Sequence, residues 1–99
     1  MRFFLATGEL TPDQTRAFIA FLGESGTGWW HYLPNTWLID TDSDDLSASS
    51  IRDKLVDEIA PNVHCVIVEI IGKTYWAGFG PSGPKRDMFK WFTDHWNDE

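Results

Sequence analysis

The chain has 99 residues, 42% of them hydrophobic and 15% aromatic, six of these being Trp. That length accommodates one domain, read here as residues 1–99 with a core over 1–71 and a C-terminal extension over 72–99. Fifteen Asp and Glu stand against eight Lys and Arg, a net charge of −7, which disfavours proteins that track phosphates with cations clustered on one face. The one local basic cluster, Lys85, Arg86 and Lys90, is diluted by Asp87.

Taken in chain order, Arg2 to Thr7 (RFFLAT) predicts a strand with Phe3 and Leu5 on one face and Phe4 and Ala6 on the other, the pattern of a central strand. Gly8 breaks it. Thr11-Pro12-Asp13-Gln14 carries a capping-box signature, with Thr at the N-cap, Pro at the first helical position and Gln three residues on. The helix that follows, near Pro12 to Leu22, is expected to bury Ala17, Phe18, Phe21 and Leu22 and to stop at Gly23. After the loop ESGTG, Trp29 to Leu33 and Thr36 to Thr41 predict two strands joined by a tight turn at Pro34-Asn35. Asp42 to Asp45 is an acidic turn, and Ser47, Ser49 and Ser50 offer N-caps for a second helix reaching Ile59. Its apolar stripe is Ile51, Leu55, Val56 and Ile59, and Pro61 ends it. Val63 to Ile71 (VHCVIVEII) predicts a strand rich in β-branched residues.

The order to this point is β-α-β-β-α-β. Its expected class is α+β, a ferredoxin-like antiparallel sheet with both helices on one face. Beyond it come a strand-like segment from Lys73 to Phe79, a Gly/Pro loop, and a short helix from about Lys85 to Trp96. Met88, Trp91, Phe92, His95 and Trp96 form the stripe of that helix. Met1 leads directly into an apolar run too short for a signal peptide or a membrane span, so the expected location is cytoplasmic.

The residue types that carry chemistry do not converge. Asp40, Asp42 and Asp44 space like the start of a calcium loop, but the glycine and glutamate that such a loop requires are replaced by Asp45 and Ile51. His31, His64 and His95 have no ligand spacing with one another, and Cys65 is the one cysteine, expected to be a buried and inert thiol. No catalytic residue, metal ligand or cofactor is assigned. The unusual feature is aromatic: Trp29, Trp30, His31, Tyr32 and Trp37 on the hairpin, then Tyr75, Trp76, Phe79, Trp91 and Trp96 in the extension, ten residues taken together as a candidate interaction surface. Such a platform can stack single-stranded RNA, but here it lacks the flanking cations that accompany that function.

The run GWWHYLPNTWLIDT from Gly28, the helix SSIRDKL, the strand VIVEI and the late Trp76-Ala77-Gly78 resemble the small bacterial SinR family proteins of the Cas2/VapD-like group (the name is not that of the Bacillus DNA-binding repressor). The resemblance implies a ferredoxin-like fold and leaves activity open, because members of that group differ in function. In the nuclease-competent pattern an Asp at the end of the first strand joins a metal site across the dimer. Here Gly8, or the shifted Glu9, stands in that place, and no functional residue carries over. The expectation is a small acidic, non-catalytic interaction protein, a homodimer, with possible partners being proteins of basic surface, and with a link to bacterial defence or counter-defence. The alternatives are a metal-dependent phosphodiesterase or ribonuclease using Glu9 and the acidic turn, and a single-stranded RNA-binding platform. The dimer argument is that bulky apolar groups occupy both faces of the sheet; the competing expectation is that the C-terminal segment covers the second face in cis.

Overall fold

The computed structural model describes residues 2–71 and 76–96, the side chain of Trp96 excepted. Four strands, β1 (Arg2–Gly8), β2 (Gly28–Leu33), β3 (Thr36–Thr41) and β4 (Cys65–Ile70), form one antiparallel sheet in the order β2-β3-β1-β4. β1 is central, with Leu5 opposite Leu38 on β3 and Val68 on β4. Helices α1 (Pro12–Glu24) and α2 (Ala48–Lys54) pack on one face, and the chain is α+β.

Local sequence accounts for each helix end. Thr11 Oγ1 accepts from the Gln14 backbone N–H at 3.2 Å, and Gln14 Oε1 accepts from the Thr11 N–H at 2.9 Å, so two otherwise orphaned donors are satisfied reciprocally. Termination comes later than Gly23. Gly26 takes a left-handed φ of 71°, and the Thr27 N–H bonds the Leu22 carbonyl at 3.2 Å, closing a Schellman motif that a side-chain-bearing residue enters only with strain. Ser47 is the residue that caps α2, accepting from Ser50 N–H at 3.1 Å. Past Lys54 the helix widens into a π-helical turn, Leu55–Ile59, in which the Ala60 N–H reaches back to the Leu55 carbonyl at 2.7 Å. Asn62, one of the residue types that tolerate a positive φ, adopts 66° and turns the chain into β4.

The helix-side core is built from Phe4 and Ala6 of β1, Trp37 and Ile39 of β3, Phe18 and Leu22 of α1, and Ile51 and Leu55. Trp37 meets Phe18 edge to face at 4.9 Å between centroids, a favoured aromatic geometry. Ala17, expected inside, is exposed: the buried face of α1 runs through Phe18 and Leu22, with Phe21 at its margin under the Lys54 ammonium. β4 is shorter than Val63 to Ile71 and lies at a sheet edge, so Val66 and Val68 face outward rather than into a core, and His64 precedes the strand as an exposed residue.

The opposite face of the sheet holds a second cluster. Trp30, Met88 and Phe92 are buried there, with Phe3, Leu38, Ile70, Trp76, Phe89 and Trp91 packed around them. The C-terminal segment, Trp76 to Trp96, therefore lies over its own sheet. The strand expected from Lys73 falls partly outside the described residues, and Trp76 to Phe79 has no strand geometry. The helix expected from Lys85 is also much shorter. Asp87 bridges to Ser82, the Met88 N–H bonds the Pro81 carbonyl at 2.9 Å, and Asp87 Oδ1 accepts from the Phe89 N–H at 2.9 Å. These bonds commit residues 82–89 to a turn, and helical structure survives only at the end, including a π-helical turn at Phe92–Trp96.

Candidate interaction surface

The ten aromatic and histidine residues singled out by the sequence separate into three groups. Trp37 is 1% exposed in the helix-side core. His31 stacks flat on it, with ring centroids 3.4 Å apart, and its Nδ1 lies 3.0 Å from the Thr36 carbonyl; Trp29 is half-buried against the same core. Trp30, Trp76 and Trp91 belong to the second cluster, beneath or within the C-terminal segment. Of the described ones, only Tyr32 and Phe79 are exposed, and Arg86 lies over the Tyr32 ring at 5.7 Å. Tyr75 and the Trp96 side chain lie outside the described residues. The hairpin aromatics thus serve two interiors rather than one exposed platform. Strand alternation is the reason: Trp29 and Trp30 are neighbours in sequence and point to opposite faces.

The seat of the C-terminal segment is polar as well as apolar. Trp30 Nε1 donates to the Met88 carbonyl at 2.6 Å in a buried bond. Phe92 meets Trp30 edge to face at 5.3 Å and lies tilted against Trp76 at 4.5 Å. A hollow of about 170 Å³ remains between Trp30, Leu33, Trp76, Phe79 and Phe89. Gly78 and Gly80 permit this approach, since a Cβ at Gly78 would come within 2.6 Å of the Phe89 ring and one at Gly80 would overlap the Met88 sulfur.

Beside that seat Asp40 is buried. Its Oδ1 accepts from the Gly28 N–H at 2.9 Å, and a Cβ on Gly28 would collide with it. Its Oδ2 has no hydrogen-bond partner among the described residues, and His95 Nδ1 stands 3.7 Å away. One turn earlier on the same segment, Lys90 Nζ donates to Asp94 at 2.9 Å, and that bond with its charge holds the Lys90 ammonium above the ordinary lysine value.

Gly8 abuts β4 so closely that a Cβ there would lie 3.1 Å from Cys65 Cβ, leaving little room for a side chain at the position of the expected metal-binding Asp. The hollow at that end of the sheet, about 520 Å³, is lined by Glu9, His64 and Cys65 among others. Among the described residues no group of three or more His, Cys, Asp or Glu side chains is arranged to hold a metal ion. The acidic turn is organised from within: Arg2 Nη1 donates to the carbonyls of Leu46 at 2.6 Å and Ser43 at 3.2 Å, placing a guanidinium where a loop cation would need oxygens.

Among the described residues, exposed apolar side chains remain on both sides of the sheet: Tyr32, Leu33 and Phe79 on the β2 side, and Val66, Val68 and Ile71 at or just past β4. The cluster under the C-terminal segment takes in Phe3 of β1 and Ile70 at the end of β4, and leaves Val66 and Val68 open. Val66 is 58% exposed and Val68 46%, with Leu5 half-buried opposite Val68, and Ile71, just past the strand, is 85% exposed. Sequence reasoning missed this surface because VHCVIVEII reads as uniformly interior. The available signal was the position of β4 at the end of the strand order. No helix among the described residues is long and apolar enough to cross a membrane. Comparison with protein-family models, curated proteins and solved structures finds no match for the chain.

Proposed function

We propose that this chain is a non-catalytic protein-interaction domain of ferredoxin-like architecture that works as a homodimer. The strand order β2-β3-β1-β4, with α1 and α2 on one face, supports the architecture, and the SinR-like hairpin and helix motifs agree with it. The observation that carries the function is the open aliphatic margin of β4, formed by Val66 and Val68 in a chain of net charge −7. Most of the surface of so acidic a molecule repels a second copy, while this margin presents no net charge. Its one charged residue, Glu69, is met by its own Arg2, with Nε to Oε2 at 3.2 Å and Nη2 to Oε1 at 3.3 Å.

The proposed dimer interface differs from the one expected from the hairpin aromatics, because the chain's own C-terminal segment occupies that part of the sheet. A partner protein with a basic surface fits the acidic remainder of the molecule, and the link to bacterial defence or counter-defence follows from the resemblance alone. Light scattering on purified protein tests the proposal: a mass of twice the chain's 11.4 kDa is expected at micromolar concentration and above. A mass of one chain across that range would remove the homodimer.

A further inference from the structure

The two edges of the sheet are not equivalent. β2 is blunted: its pairing with β3 is irregular between Trp30 and Leu33, Pro34 follows directly, and Met88 packs over Trp30. β4 carries neither a proline nor a bulge, and its one charged residue, Glu69, is already paired with Arg2. Its sequence, CVIVEI, contains no Pro, Gly or Lys, and its register with β1 runs unbroken from Phe3–Ile70 to Gly8–Cys65. Every second residue of such a strand directs its N–H and C=O away from β1, ready to pair with another strand.

We infer that β4 pairs antiparallel with β4 of a second copy, joining the two sheets into one continuous eight-stranded sheet about a two-fold axis. The inference rests on the homodimer proposed above and states how it forms. Three features select a second copy as the occupant. The edge is self-complementary: a two-fold axis perpendicular to the sheet at Ile67 sets Val66 of each copy opposite Val68 of the other, two aliphatic cross-strand pairs on the face that the C-terminal segment leaves open. The same register keeps all four long helices on one side. It sets the two Ile67 side chains together where a groove of about 340 Å³, lined by Ala48, Ser49, Arg52 and Cys65, runs between α2 and β4. Charge is the third feature. Two copies of a −7 chain approach with least repulsion where the one ionised residue of the strand, Glu69, already has its cation. With β2 blunted, one edge per molecule is left for pairing, so association closes at two.

A strand of six residues is about 20 Å long, which places the contact at the small end of stable interfaces and makes the dimer concentration-dependent. The test combines light scattering with amide hydrogen exchange on the wild type, on Val66→Glu/Val68→Glu, and on Tyr32→Glu as a control at the opposite edge. The expected result is a dimer for the wild type and the control and a monomer for the double variant, with unchanged far-ultraviolet circular dichroism because both valines are already exposed. The outward amides of β4 should exchange about tenfold more slowly at concentrations where the dimer forms. A double variant that remains dimeric overturns the edge pairing while leaving a homodimer elsewhere. A dimer lost in the double variant without concentration-dependent protection of β4 overturns it too, in favour of face packing. Trimers or larger assemblies contradict closure at two, and a monomeric wild type removes this inference together with the homodimer.

Discussion

Trp30 shows how one side chain can join two parts of the molecule. Its ring fills the cluster between the sheet and the C-terminal segment, and its indole N–H satisfies the Met88 carbonyl at 2.6 Å. Trp30→Phe keeps most of the apolar volume and removes the donor, leaving a buried carbonyl without its partner. A loss of about 1–3 kcal/mol in chemical denaturation is expected, the usual cost of an orphaned buried acceptor. A change below about 0.5 kcal/mol would mean that water replaces the indole. Gly28 makes a comparable demand through its backbone. Its N–H is the donor that holds Asp40 Oδ1, and the space a Cβ would need is occupied by that carboxylate. Gly28→Ala should therefore cost about 1–3 kcal/mol by overpacking, although alanine suits a strand better than glycine. Pairing it with Asp40→Ala, which vacates the space, should recover part of that loss; strictly additive costs would disconnect the two residues.

At the scale of elements, sequence signals were most reliable where a helix end is decided locally. The Thr11/Gln14 box, the Ser47 cap and the Pro34-Asn35 turn are made by residues within three positions of each other, and no distant contact is needed to form them. The C-terminal helix is shorter than its stripe predicts, for the converse reason. Its stripe at Met88, Phe92 and His95 is real as a pattern, but Asp87 and Pro81 engage backbone donors that a helix from Lys85 would have used, and packing on the sheet secures the turn. Gly80 offers a test of how that segment is seated. Gly80→Val must displace the Met88 side chain, and through it the carbonyl that Trp30 holds. Red-shifted tryptophan emission and greater binding of an apolar dye are expected, with the sheet and α1 intact by circular dichroism, since the cluster uncovered contains Phe3, Trp30 and Leu38. Emission and dye binding equal to those of the wild type would show that the segment does not depend on that close contact.

For the whole molecule, the amino-acid sequence by itself determined the order of elements, the α+β class and the acidic character that disfavours phosphate-tracking partners. Each follows from periodicity, local capping or composition, quantities that need no knowledge of what lies across a sheet. The roles of the aromatic residues and the place of the exposed surface were decided only by tertiary structure. Trp29 and Trp30 differ by one position and enter different clusters, because which face of β2 is covered, and by what, depends on a C-terminal segment that begins at Trp76, far along the chain. VHCVIVEII reads as a buried strand in any local window, yet Val66 is 58% exposed. An edge strand and a central strand can share one sequence pattern, since burial of the second face and pairing of the second side are properties of neighbours distant in the chain rather than of the strand itself.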